Sequence, residues 1–145
     1  MDLESAIQIS ASGLKANRTW INVLSSNLAN VNTTKTSEGV PYMRKTVIYE
    51  TVPSEDFESE LNAAMGESVD KVKVADIVND MRDFRQVYDP GHPDADANGV
   101  VLLPNINPVE EMANMVNAAR SYEANLAALQ TAKQLALKSM DIGAK

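Results

Sequence analysis

Acidic and amide side chains alternate along Asp94-Ala95-Asp96-Ala97-Asn98-Gly99, the stretch whose spacing best fits a binding site. Alternating oxygen ligands followed by a glycine open the calcium loop of an EF-hand. The twelfth position of such a loop falls on Asn105 instead of a bidentate glutamate, and Pro93 and Pro104 occupy the flanks where helices are needed. The pattern therefore favours a polar turn, in which side-chain oxygens bind nearby backbone N–H groups. A calcium-binding module is kept as an alternative.

A catalytic centre lacks its usual parts in this sequence. His92 is the single histidine, and the chain has no cysteine, so neither a pair of histidine ligands nor a thiolate can be built. The acidic pairs Glu58/Glu60 and Glu110/Glu111 fit a solvated loop and the start of a helix. We therefore predict no enzyme activity, no cofactor and no metal.

Composition excludes two further classes of partner. The net charge of −7 argues against a nucleic-acid interface, which requires a basic face. No apolar run has the length needed to cross a bilayer, so we expect no direct insertion into a membrane.

The N-terminus lacks the basic start and apolar core of a cleaved secretory signal. This fits a cytoplasmic protein, or one exported by a route that needs no such signal.

A long helix is predicted from residue 3 to about residue 31. Its apolar residues step alternately by three and four positions, which keeps one line of side chains together on a gently supercoiled helix. Ser10 and Asn17 are polar breaks in this line, and the Asn30–Thr34 stretch should end the helix. The predicted helix-1 seam consists of Leu3, Ile7, Leu14, Ile21, Leu24, Leu28 and Val31.

A second long helix is predicted from Asn107, the N-cap, to about Ile142, with Pro108 at its first position and Gly143 as its stop. Alanines occur around much of its circumference, so partners are expected on more than one side. Its apolar line has the same alternate spacing, with Lys133 as the single charge. The predicted helix-2 seam consists of Met112, Met115, Ala119, Tyr122, Leu126, Leu129 and Met140.

The residues between the helices have strand character. Strands are predicted at 42–52, 69–78 and 100–103, and residues 83–87 should continue or pair with the second of these. An acidic stretch near 53–68 is predicted to be a mobile loop. The expected organisation is an N-terminal helix at 1–34, a β-rich middle domain at 35–106, and a C-terminal helix at 107–145. The fold class is α+β.

Several separated motifs resemble the bacterial flagellar rod and hook proteins, the axial proteins of the flagellum. The end of the first helix matches that family's S-x-N-x-A-N-x-N-T pattern, and residues 34–45 and 87–96 are similar to its proximal-rod branch. The stretches 99–112 and 118–125 match two further motifs. The matching positions are Ser25, Asn27, Ala29, Asn30, Asn32, Thr33, Gly39, Pro41, Tyr42, Asp89, Pro90, Gly91, His92, Pro93, Asp94, Pro104, Asn105, Asn107, Glu111, Met112, Arg120, Tyr122, Glu123 and Asn125.

The resemblance implies a structural subunit of the proximal rod, the drive shaft that transmits motor torque and encloses the export channel. The terminal helices would form an antiparallel coiled coil around a small β-rich domain. Copies of the chain, other proximal and distal rod proteins, the rod-base adaptor to the membrane ring and the type III export apparatus would be its partners. The rod would span the periplasm, and the subunit would leave the cytoplasm without a cleaved signal. A sibling proximal-rod protein and a soluble helical adaptor remain alternatives.

Overall fold

The computed structural model describes residues 3–53 and 70–143. In chain order these residues form helix α1 (Leu3–Ala29), strands β1 (Lys45–Pro53), β2 (Asp70–Asn79), β3 (Arg85–Tyr88) and β4 (Val100–Leu103), and helix α2 (Pro108–Gly143). The α+β class is therefore confirmed. The predicted loop at 53–68 lies outside the described residues, apart from Pro53, which ends β1.

Local signals set the bounds of the two helices. Helix α1 ends at Ala29, immediately before the asparagine-rich stretch that was predicted to end it. At the start of α2 the Asn107 side-chain oxygen accepts a hydrogen bond from the backbone N–H of Val109 at 3.1 Å, which is N-cap chemistry. The helix then runs 36 residues to Gly143. Neither described helix combines the length and the apolarity required to cross a membrane.

The strands form two separate two-stranded sheets, one of β1 with β2 and one of β3 with β4. The antiparallel β3–β4 pair aligns Arg85 with Leu103 and Tyr88 with Val100. The expectation that residues 83–87 continue or pair with the second strand is wrong. The chain turns back between Asp89 and Gly99, whose backbone N–H and C=O bond at 2.9 Å, so β3 takes its partner from the strand that follows it.

The described chain divides into two compact units. One comprises Met1–Thr19, Ile48–Asp76 and Ala118–Lys145, and the other comprises Trp20–Val47 and Ile77–Asn117. Each unit takes part of both helices and part of β1 and β2. The expected division into terminal helices at 1–34 and 107–145 and a middle domain at 35–106 stays a prediction.

Among the described residues, each unit buries only a few side chains. Ala16 and Ala132 are buried in the first unit, with Ala118 fully covered. In the second unit Leu24 is 1 % exposed and Val101 and Ile106 are also buried. The same unit buries two polar side chains completely, Asn27 and Glu111. A buried carboxylate requires hydrogen-bonding or charged partners. Asn27 and Glu111 therefore mark the buried polar cluster of the second unit.

Candidate functional site

Asn27, on the last turns of α1, uses every hydrogen-bonding position of its side chain. Its amide nitrogen donates to the backbone oxygen of Lys45 at 2.8 Å and to a carboxylate oxygen of Glu111 at 2.9 Å. Its amide oxygen accepts from the Lys45 backbone N–H at 2.9 Å and from the Tyr42 hydroxyl at 3.1 Å. Two donors and two acceptor sites exhaust what an asparagine can offer. Asn27 therefore joins α1 to the start of β1 and to the first turn of α2.

Arg44 neutralises the buried carboxylate of Glu111. Its Nε donates to the other oxygen of Glu111 at 2.7 Å, and its Nη1 lies 3.2 Å from a carboxylate oxygen of Asp80, which follows β2. The Arg44 side chain is 12 % exposed and that of Glu111 is fully buried. A charge removed from water in this way is tolerated because it is both paired and hydrogen-bonded.

Asn105 holds the backbone on the other side of this cluster. Its side-chain oxygen accepts from the Arg44 backbone N–H at 2.9 Å, and its amide donates to the backbone oxygens of Asp80 and Arg82. The Asp80 N–H in turn donates to the Arg44 carbonyl at 2.7 Å. Within the described residues, no buried side-chain nitrogen or oxygen lacks a hydrogen-bond partner. We call the set Asn27, Tyr42, Arg44, Asp80, Asn105 and Glu111 the polar hub.

The outer edge of the polar hub is an exposed ion pair. The Arg82 side chain, 55 % exposed, donates to the Asp80 carboxylate at 2.8 Å. This hydrogen bond, helped by the Arg82 backbone N–H and by Arg44, lowers the pKa of Asp80, and the same pairing raises the pKa of Arg82. Water screens this edge, so its contribution to stability is small.

Four positions that the sequence motifs singled out meet in the polar hub: Asn27, Tyr42, Asn105 and Glu111. Their neighbours Arg44 and Asp80 were missed as site residues. Charge was the available signal for Arg44, because a buried glutamate requires a cation. No sequence signal marked Asp80. Among the described residues, the hub contains no nucleophile beside a base. Its chemistry is positional, since it fixes the end of one helix against the start of the other.

The motif residues that follow α1 form its exit turn. The Asn30 side chain donates to the Ser26 carbonyl at 2.8 Å and accepts from the Thr33 hydroxyl at 3.2 Å. The Thr33 carbonyl then accepts from the Tyr42 N–H at 3.2 Å. Gly39 has a φ of +79°, the left-handed conformation that glycine supplies without strain. The remaining motif positions here divide by exposure: Pro41 is buried, whereas Ser25, Ala29 and Asn32 are exposed.

The 89–99 segment is a turn closed by its own side chains. One oxygen of Asp96 accepts from the backbone N–H groups of Asn98 and Val100, each at 2.8 Å, and these bonds lower the pKa of Asp96. The Asp94 carboxylate accepts from the hydroxyl of Thr34 at 2.7 Å. In the part of the chain that the structure describes, no group of three or more acidic or histidine side chains is arranged to hold a metal ion. Asp96 therefore bonds within the turn, and Asp94 joins the turn to Thr34.

The other motif residues of this segment shape the same turn. Asp89 accepts from the Gly91 backbone N–H at 3.1 Å, and His92 accepts at Nδ1 from the Asp94 N–H at 3.1 Å. Gly99 has a φ of +76°, and a side chain there would meet the ring of Tyr88 at 3.0 Å. Pro90 and Pro93 are exposed, and Pro104 beyond β4 is buried. His92 therefore contributes one hydrogen bond to this turn.

The helix-1 seam lies on the covered side of α1. Leu24 is buried, and Leu3, Ile7, Leu14, Ile21 and Leu28, as well as Val31 beyond the helix end, are half-buried. The polar break Ser10 is also buried, and its hydroxyl donates to the Ala6 carbonyl at 2.9 Å. The exposed positions of α1 form one narrow line with similar alternate spacing: Glu4, Ala11, Lys15, Arg18, Asn22, Ser25 and Ala29.

The helix-2 seam straddles two neighbouring lines of side chains on α2. The more covered line, here the inner stripe, is buried or half-buried throughout and shares Met115, Tyr122 and Leu129 with the seam. It comprises Glu111, Met115, Ala118, Tyr122, Asn125, Leu129, Ala132 and Ala136. Glu123, Gln130 and Lys133 interrupt the neighbouring line of exposed side chains. The other seam positions belong to the apolar members of that line, here the outer stripe. It comprises Val109, Met112, Val116, Ala119, Leu126, Leu137 and Met140.

A residue of α1 contacts a residue of α2 at one point in each unit. In the first unit, Gly13 lies so close to Asn125 that an added Cβ would sit 2.9 Å from the Asn125 amide nitrogen. In the second, Asn27 bonds to Glu111. Arg120 and Glu123, the charged pair of the last motif, are exposed.

The chain matches two models of flagellar proteins. A model of the flagella basal body rod protein matches residues 7–35, and one of the flagellar basal body rod FlgEFG protein C-terminal matches residues 97–142. The chain is 43 % identical to the flagellar basal-body rod protein FlgC of Bacillus subtilis (strain 168), over 95 % of this chain and 96 % of the relative. It is 38 % identical to FlgC of Escherichia coli O6:H1, over 99 % of both chains. It is 40 % identical to FlgC of Aquifex aeolicus, over 93 % and 92 %.

Proposed function

The chain belongs to the FlgC family of flagellar basal-body rod proteins, and we propose that it acts there by packing its outer stripe against neighbouring subunits of the proximal rod. It is a structural rod subunit and not an enzyme. The relatives carry one family name over nearly the full chain, which favours this assignment over a sibling rod protein or a helical adaptor.

The exposure of the outer stripe carries this proposal. Val109 is 70 % exposed, Met112 48 %, Val116 52 %, Leu137 53 % and Met140 70 %. Large apolar side chains repeated at helical spacing on a surface are typical of a protein interface. Burying one such side chain fully is worth about 1.5–3 kcal/mol, so several together can drive association.

The two helices are proposed to pair as an antiparallel coiled coil. The contacts Gly13–Asn125 and Asn27–Glu111 support this pairing, because position advances along α1 while it recedes along α2. The inner stripe also keeps the alternate spacing of three and four residues that a coiled coil requires. The small residues Gly13 and Ala118 permit a close approach of the helices.

The polar hub is proposed to set the geometry with which subunits add to the rod. Its hydrogen bonds fix the end of α1, the start of β1 and the first turn of α2 together, so the helices leave this point in defined directions. Hydrogen-bonded buried charges are stiff, because any displacement leaves Glu111 or Arg44 without a partner. A shaft that transmits torque needs such fixed junctions between its elements.

The remaining parts of the proposal follow from the family. Copies of the chain, proximal and distal rod proteins and the adaptor at the rod base are its partners, and the rod spans the periplasm. The subunit reaches the growing tip through the flagellar type III export apparatus. The helices would complete their folding on arrival, because an isolated helix with an uncovered apolar side is marginal in water.

The outer stripe gives a clean test in Val116, since half of this side chain is already in water. Val116→Asp should leave the folding of the isolated chain unchanged and abolish incorporation into basal bodies, leaving cells non-motile. Val116→Leu is the matched control, since it keeps the surface apolar, and should support swimming. Asp at Leu24 and Leu28 should also block incorporation, but Leu24 is buried within the chain and its loss would unfold the subunit itself. Normal swimming with Val116→Asp would contradict the proposal.

A further inference from the structure

A groove lined by lysines lies in the first unit, between α1 and the strands β1 and β2. Its volume is about 490 Å³. Lys15 of α1 and Lys71 and Lys73 of β2 line it, together with an apolar floor that includes Ala16, Val52 and Val74. No acidic side chain is among the described lining residues. We call this the lysine groove.

The lysine groove is positively charged, whereas the chain as a whole is negatively charged. The chain carries 20 acidic and 13 basic residues, so three lysines with no acidic residue among the described lining residues are a local reversal of charge. Lys73 lies 3.5 Å from Glu50, a pair that is exposed on both sides. Lys15 and Lys71 form no ion pair with any described residue. Two cations beside an apolar floor fit a ligand that is both anionic and apolar.

We propose that the lysine groove binds the acidic segment 54–69 of a second copy of this chain. That segment has five acidic residues, no lysine or arginine, and three large apolar residues, so its composition complements both features of the groove. The acidic residues are Glu55, Asp56, Glu58, Glu60 and Glu67, and the apolar residues larger than valine are Phe57, Leu61 and Met65.

The inference rests on the proposed function in one respect, namely that copies of this chain are neighbours in the rod. A groove on one copy and a segment on the next form a head-to-tail contact, the kind that builds rings and helical assemblies. Opposite charges steer and orient such a contact more than they strengthen it. The lysine groove would therefore select the neighbour's register, while the outer stripe supplies most of the binding free energy.

Binding of a synthetic 54–69 peptide to the purified full-length chain tests the charge complementarity. Fluorescence anisotropy in 50 mM salt should show saturable binding. Lys15→Gln/Lys71→Gln should weaken it about three- to tenfold, since each exposed ion pair contributes up to about 1 kcal/mol. Lys133→Gln/Lys138→Gln on α2 removes the same charge elsewhere and should change affinity less than twofold. Equal weakening by both double variants, or equal binding of a peptide with its acids changed to amides, would overturn the proposal.

Disulfide trapping in assembled basal bodies tests whether the contact joins two copies. The chain has no native cysteine, so Thr19→Cys in the groove and Ser59→Cys in the segment can be introduced cleanly. Cells expressing both single variants should yield cross-linked dimers, and Lys15→Gln/Lys71→Gln should remove them. A link formed only within the doubly substituted chain, or no link in rods that contain both variants, would overturn the inference. The latter result would leave the rod function intact, because incorporation is scored separately.

Discussion

Replacing Asn27 by aspartate changes the side-chain nitrogen to oxygen, so a hydrogen-bond donor of the polar hub becomes an acceptor. The Asn27 amide nitrogen, which donates to the Lys45 carbonyl and to Glu111, becomes a carboxylate oxygen that can donate to neither. The volume of the side chain is conserved, so packing is not disturbed. The new oxygen would lie 2.9 Å from a carboxylate oxygen of Glu111, at a site with no exposure to water.

The magnitude follows from two competing routes. Two ionised carboxylates about 3 Å apart repel by about 6 kcal/mol at an effective dielectric constant of about 20. The pair can instead take up one proton, which costs about 1.4 kcal/mol for each pH unit above the ordinary carboxyl pKa of about 4, or about 4 kcal/mol at pH 7. The lower cost governs. One hydrogen bond is lost as well, for about 1 kcal/mol, because a carboxylic acid donates once and the amide donated twice.

Asn27→Asp should therefore destabilise the chain by about 4–5 kcal/mol at pH 7 and by about 2 kcal/mol at pH 5. The folded variant binds a proton that its unfolded form does not bind, so its stability relative to the wild type rises as pH falls. Urea unfolding followed by the fluorescence of Trp20, the single tryptophan, measures this. With a slope of about 2 kcal/mol per molar urea, the midpoint should fall by about 2 M at pH 7.

Two further variants make the result specific. Asn22→Asp adds the same charge to an exposed position of α1 and should change stability by less than about 0.5 kcal/mol. Adding Glu111→Gln to Asn27→Asp removes the repulsion and returns a donor, so a double-mutant cycle should show about 2–3 kcal/mol of coupling. A loss under about 1 kcal/mol at pH 7, or a loss that does not shrink towards pH 5, would refute the buried Asn27–Glu111 contact.

Three other predictions follow from single contacts. Gly13→Ala should change stability by less than about 1 kcal/mol, because the gain in helix propensity offsets the displacement of the Asn125 amide, whereas Gly13→Val should cost about 1–3 kcal/mol in urea unfolding. Asp80→Asn should lower stability most above the ordinary carboxyl pKa of about 4, and the loss should shrink as pH falls through the folded pKa of Asp80, which Arg82 lowers. Urea unfolding across this pH range measures it. Isothermal titration of the full chain with Ca²⁺ should show no binding tighter than millimolar, because the Asp96 carboxylate already accepts two backbone N–H groups.

The sequence alone determined the features that depend on neighbouring residues. The two helices follow from their spacing, the asparagine-rich exit of α1 from its side-chain chemistry, and the start of α2 from Asn107. The 89–99 turn follows from its prolines, glycines and aspartates. Each of these features is a backbone conformation of a few residues, and the side chains of those same residues determine it.

Tertiary structure decided the pairing of strands and the orientation of α2. Strand β3 could have continued β2, and only the closure of the 89–99 turn gave it to β4. On α2 the predicted helix-2 seam combined positions of the inner stripe with positions of the outer stripe. Adjacent lines of side chains differ by one residue, and alanines on all sides leave the hydrophobic pattern without a preference between them. The neighbouring α1 makes that choice through Asn27 and Gly13.

The contacts of the polar hub were the feature least predictable from the sequence. Asn27 and Glu111 are 84 residues apart, and each was marked by a family motif without any indication that they touch. Arg44 and Asp80 carried no mark as site residues. Hydrogen bonds depend on angles and on distances of a few tenths of an ångström. Such positions exist only after the helices and strands have packed, so the residue types came from the sequence and their partnership from the fold.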